Sequence, residues 1–187
     1  MSVYLSTAQV PFLGAEFAVN YDTARVAILP IAYEATTTYR RGCENGPAAI
    51  LDASQQVEVY DDEFDREVCE VGIWTHPTIA DTRHNHPISS DAMLQVTQQS
   101  VAHLVGEGKF VIALGGEHSI TAGIVAAYQQ AYAGEPFTVV QIDAHGDLRH
   151  EYEGSIHNHA CVMRRIVEMG LPTLQLGIRS ICKEEAD

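Results

Sequence analysis

The chain has 187 residues, 46% of them hydrophobic, with 25 acidic against 11 basic residues and a formal charge of −14. One domain fits that length, at roughly 100–200 residues per domain, and the apolar share is that of a globular core rather than of a disordered chain. The scarcity of Lys and Arg argues against a nucleic-acid partner, no apolar run reaches the ~18 residues of a membrane helix, and the N-terminus carries no basic-then-apolar leader, so the expectation is a soluble, cytoplasmic protein.

A first strand is expected in the apolar run 24–33 (ARVAILPIAY), ended by Pro30. The stretch 42–48 (GCENGPA) reads as a turn, with Pro47 placed to open a helix running to about Val57. The acidic run Asp61-Asp62-Glu63 is expected to be a solvated turn. A short strand follows at 71–75, then a polar loop at 81–89 whose His84 and His86 are expected to be exposed.

The helix at 89–108 carries Met93, Val96, Val101, Leu104 and Val105 near a 3.6 period, with Ser89 or Ser90 as its cap and Gly106 and Gly108 at its end. The run 110–114 (FVIAL) is fully apolar, as in a strand covered on both faces. A helix at 119–133, a strand at 137–142, a helix within 158–170 and a strand at 173–178 complete the series. Residues 182–187 give no sign of a closing element. The βαβα order predicts an α/β fold with a mostly parallel sheet between helical layers, in a single domain spanning 1–187. Cys43, Cys69, Cys161 and Cys182 have neither C-x-x-C nor zinc-finger spacing, and reduced, mostly buried thiols are expected.

Two polar clusters stand just past strand-like runs: Gly115-Gly116-Glu117-His118-Ser119 after 110–114, and Asp143-Ala144-His145-Gly146-Asp147 after 137–142. Ligands of open α/β sheets bind outside the carboxyl ends of the strands, so both clusters fall at the functional edge. Gly115 and Gly116 remove side chains where the chain must turn and let His118 approach a neighbour. Carboxylates with some imidazole and no thiolate suit Mn²⁺ among the common metals. His118, Asp143, His145 and Asp147 are therefore the candidate metal ligands.

GGEHS at 115–119 together with DAHGD at 143–147 resembles the ureohydrolase family that includes arginase and agmatinase. The stretch 29–50 (LPIAYEATTTYRRGCENGPAAI) is similar to the family in its agmatinase-like version, and 176–180 (LGIRS) resembles the family's next strand end. Glu117 departs from the more common Asp at a position not expected to bind metal. The resemblance implies an arginase-like, three-layer α/β/α fold and two Mn²⁺ ions. His118, Asp143 and Asp147 would hold one ion and His145 the other, with Asp143 bridging. It also implies that a hydroxide between the ions attacks the guanidinium carbon of a small cationic substrate, most simply agmatine, giving urea and putrescine. His159 matches the position that would pass a proton to the leaving amine and is preferred to His157. Arg149 and residues 151–153 are placed near the substrate entrance.

The family pattern includes a later D-x-D pair, and no such pair follows Leu176. The expectation is accordingly a C-terminally incomplete arginase-like domain, truncated before the last metal-binding strand, with one ion held weakly, the second poorly, and apolar sheet surface exposed. A homo-oligomer, trimer or hexamer, is implied for a complete chain. Guanidinobutyrate, formiminoglutamate, arginine or guanidine as substrate, a non-catalytic chain, and a zinc deacetylase on a related scaffold are the alternatives.

Overall fold

A computed structural model describes residues 10–186. Strand β1 (Val26–Ile31) lies at its centre, and five successive residues of it are buried. It pairs in parallel with β4 (Ile73–Thr75) on one side and β5 (Phe110–Gly115) on the other. Pro30 does not end β1, contrary to the expectation from sequence. Ile28 and Pro30 turn their carbonyls toward His76 and Ile79, whereas Ile31 turns its own toward Gly116. The N–H that Pro30 lacks thus faces the side on which β4 has already stopped at Thr75, so no ladder bond is lost.

The second polar strand end belongs to a separate parallel pair, β6 (Val139–Ile142) with β7 (Thr173–Leu176). Among the described residues no ladder joins this pair to β5, so the single sheet expected from the βαβα order is divided in two. A small antiparallel hairpin, β2 (Tyr60–Asp61) and β3 (Arg66–Glu67), stands apart from both. Its turn contains the acidic run, and the Asp61 carboxylate accepts from the backbone N–H groups of Glu63 and Phe64.

Helices hold the two sheets in one body. Helix α1 (Gly46–Ala53) opens with Pro47 in its first turn, as expected. Helix α2 (Ser90–Gly106) is capped by Ser89, whose Oγ accepts from Ala92 N at 3.2 Å; such a cap contributes about 1 kcal/mol. Met93, Val101 and Leu104 of α2 are fully buried against Leu29, Ile31 and Tyr33. Helix α3 (Thr121–Ala131) follows a single 3₁₀ turn at His118–Ile120. Its other face, through Ala122 and Val125, packs on Val162, Met163 and Ile166 of α4 (Val162–Glu168), and this second core reaches Val139 beneath β6.

Three further expectations are corrected. Strand β5 is not covered on both faces: Phe110 is 66% exposed and Ile112 40%. Residues Lys183–Ala186 form a short helix, α5, anchored by the Glu185 carboxylate, which accepts from Cys182 N at 2.7 Å and Leu148 N at 3.1 Å. The four thiols are free, but of these Cys161 alone is buried; Cys43, Cys69 and Cys182 are partly exposed. His84 and His86 are exposed, as expected.

Candidate metal site and cleft

The carboxyl ends of β5 and β6 converge although their strands do not pair. Strand β5 delivers the 115–119 cluster by close backbone approach: Gly116 N donates to Ile31 O, and Glu117 N to Tyr33 O. A Cβ on Gly116 would stand 2.0 Å from the Tyr33 carbonyl oxygen, so the position excludes any side chain. The 3₁₀ turn that follows brings the His118 ring toward the other strand end.

There His118 Nδ1 lies 3.0 Å from Asp147 Oδ2 and 3.6 Å from Asp143 Oδ2. Ligand-type atoms of His118, Asp143 and Asp147 all lie within 4.8 Å of one another. One imidazole nitrogen and two carboxylate oxygens, with no thiolate beside them, form a donor set that fits Mn²⁺ and does not resemble a structural zinc site. Asp143 is partly buried, which works to raise its pKa. The backbone N–H of His145 and the neighbouring His118 and His145 outweigh that and hold it below the usual carboxylate range.

Asp147 is buried and has a left-handed backbone, φ +52°. Its carbonyl accepts from Met163 and Arg164 in the first turn of α4, which holds the residue in that conformation. Its Oδ2 accepts from Gln141 Nε2 at 3.2 Å. His145 stands outside the three-residue group, with its ring largely exposed and its Nδ1 3.3 Å from Asp143 Oδ1. The Asp143 carboxylate is thus flanked by His118 on one oxygen and His145 on the other.

His159 lines one cleft of about 510 Å³ with His145 and Asp147. Arg149, Tyr152 and Glu185 line it too. The Arg149 guanidinium sits 4.6 Å from the Tyr152 ring centre, and Tyr152 meets the His159 ring edge-on at 6.3 Å. His157 lies elsewhere, 3.5 Å from Asp91 and lining a different, apolar hollow with Leu94 and Met169.

Sequence reasoning overlooked the residues that hold these groups in place. Gln141 is the one buried residue of β6, and a lone amide in an apolar strand is the signal that marks it. Glu117 is 3% exposed and ties residues 35 and 36 to the site. Thr36 bonds to a residue 123 positions away, and no local pattern announces that contact.

The arginase family profile matches residues 24–187. N(1)-aminopropylagmatine ureohydrolase of Synechocystis is 54% identical over 177 residues, which are 94% of this chain and 58% of that protein. Agmatinase of Pyrococcus horikoshii is 34% identical over 89% of this chain and 56% of its own length. The crystal structure of agmatine ureohydrolase from Thermoplasma volcanium superposes with a TM-score of 0.81 at 30% identity, covering 92% of this chain and 56% of that one. The chain spans a little over half the length of the relatives it matches.

Proposed function

The chain belongs to the arginase family, and from that membership we propose that its site serves hydrolysis of a guanidino group to urea and an amine. One observation carries the reading: His118, Asp143 and Asp147 meet at two strand ends, and Asp147 lines a cleft that also holds His145 and His159. His118, Asp143 and Asp147 would hold one Mn²⁺, and His145 with the far oxygen of Asp143 would contribute to a second. Mn²⁺ bound there supplies Lewis acidity and brings the pKa of water down toward ~7.

The protein's own groups do the remaining work. Burial and the Gln141 bond hold the Asp147 carboxylate in one orientation. His159 would deliver a proton to the departing nitrogen, which must leave as a neutral amine. Tyr152 and Glu185 line the same cleft, and the Glu185 carboxylate would supply the negative charge that a cationic amine tail requires. The names of the relatives favour N(1)-aminopropylagmatine, ahead of agmatine, as the substrate.

A second reading, metal binding without turnover, is favoured by the donor count among the described residues: three groups would serve one ion, and His145 with the shared Asp143 would serve another. Titration of Mn²⁺ into the 187-residue chain by calorimetry, with urea release assayed alongside, tests both. One site is expected, weakened at least tenfold by His118→Ala, more than the lower bound seen when a residue supporting a ligand is lost. Binding that is indifferent to His118 overturns the site. Urea from arginine but from neither amine substrate overturns the substrate reading. Urea from neither class, with Mn²⁺ bound, establishes the second reading.

A further inference from the structure

Thr36 and Glu117 form a relay behind His159 that has no part in the ligand set. The Glu117 carboxylate is buried and accepts on both oxygens. Its Oε2 takes the backbone N–H groups of Ala35 and Thr36, each at 2.7 Å. Its Oε1 takes the hydroxyls of Thr36 at 2.7 Å and Ser119 at 2.5 Å. A carboxylate only accepts, so the single Thr36 hydroxyl proton is committed to Glu117. Both lone pairs of Thr36 Oγ1 then face His159, whose backbone N–H lies at 3.0 Å and whose ring Nδ1 lies at 3.3 Å. A neighbour that can only accept at this point requires a proton on Nδ1.

We propose that Thr36, oriented by Glu117, fixes neutral His159 as the Nδ1–H tautomer and leaves Nε2 as the nitrogen that exchanges protons. Both are positioning residues, and the idea rests on the role assigned above to His159. The same contacts explain how a loop at 34–37 is coupled to the turn at His159–Cys161 across the site. Thr36 bonds both the ring and the backbone of His159, so it sets ring rotation as well as tautomer.

Histidine-¹⁵N-labelled chain reports the tautomer directly through the ring nitrogen resonances, with His159 assigned by loss of its signals in His159→Asn. The wild type should show a protonated, pyrrole-type Nδ1 and a pyridine-type Nε2. Thr36→Ser should preserve that pattern, and Thr36→Val should abolish the preference. Glu117→Gln makes the sharper test. Its amide oxygen must take the two backbone N–H groups, which turns the NH₂ toward Thr36. The Thr36 proton is then released toward His159 Nδ1, and the two ring resonances should exchange character. A wild-type Nε2–H tautomer, or an unchanged pattern in both Thr36→Val and Glu117→Gln, overturns the proposal. If the Nδ1–H tautomer holds while His159→Asn leaves urea release intact, the relay stands and the catalytic assignment of His159 falls.

Discussion

Gly116 shows how little freedom the site leaves at single positions. Its backbone passes so close to Tyr33 that an added Cβ would lie 2.0 Å from a carbonyl oxygen already bonded to Glu117 N. Neither partner is a flexible side-chain tip, so strand β1 or the whole 115–119 turn must shift. We expect Gly116→Ala to cost at least the ~3 kcal/mol that marks severe overpacking, read as a lowered urea midpoint. An unchanged midpoint would mean that the two strand ends are looser than their hydrogen bonds indicate. Asp147 is constrained differently: its left-handed φ is held by the α4 N-terminus, so backbone conformation and carboxylate position are set together.

The loop between β4 and α2 contains a local bidentate pair. Arg83 donates to Asp81 through Nε at 2.9 Å and Nη2 at 2.6 Å. The Arg83 hydrogen bonds hold Asp81 below the usual carboxylate range, against a smaller upward push from burial. The contribution is fully present above the unfolded pKa of ~3.9 and is lost as pH falls through the depressed folded value. Both side chains are partly exposed, so solvent screening limits the pair to about 0.2–1 kcal/mol. Urea unfolding of wild type and Asp81→Asn should therefore differ by that amount at pH 6 and converge toward pH 3. A gap that widens on acidification would show that another group carries the pH dependence. Strand β1 makes the same point about neighbours: Pro30 is tolerated inside a central strand because β4 is only three residues long.

Across the whole molecule, alternate residues of β5, β6 and β7 present apolar side chains to solvent, the period of an uncovered sheet face. Phe110 and Ile112 of β5, Val140 and Ile142 of β6, and Leu174 and Leu176 of β7 are all exposed, Ile142 by 83%. Open parallel edges with apolar neighbours are a known route to association. The 187-residue chain should self-associate at micromolar concentration and bind a hydrophobic dye. The double substitution Phe110→Lys with Ile142→Lys should shift light scattering toward the monomer without changing far-UV circular dichroism. Association that persists unchanged in this variant would place the contact elsewhere, for instance at the exposed Tyr39 or Phe64.

Much of this was legible along the chain because the signals are local. Apolar runs followed by GGEHS and DAHGD placed His118, Asp143 and Asp147 at strand ends, and backbone periodicity alone puts such residues at the ligand-binding edge. The Ser89 cap and the Pro47 helix start were readable for the same reason, since each acts within one turn. Chain folding decided what depends on distant partners. Periodicity cannot show that β5 and β6 fail to pair, that His157 turns to Asp91 while His159 enters the cleft, or that Gln141 steadies Asp147. Nor can it show that Glu117 reaches residues 81 and 82 positions away to orient the group beside His159. Hydrogen-bond direction and burial are properties of side chains that meet only after the strands and helices have packed.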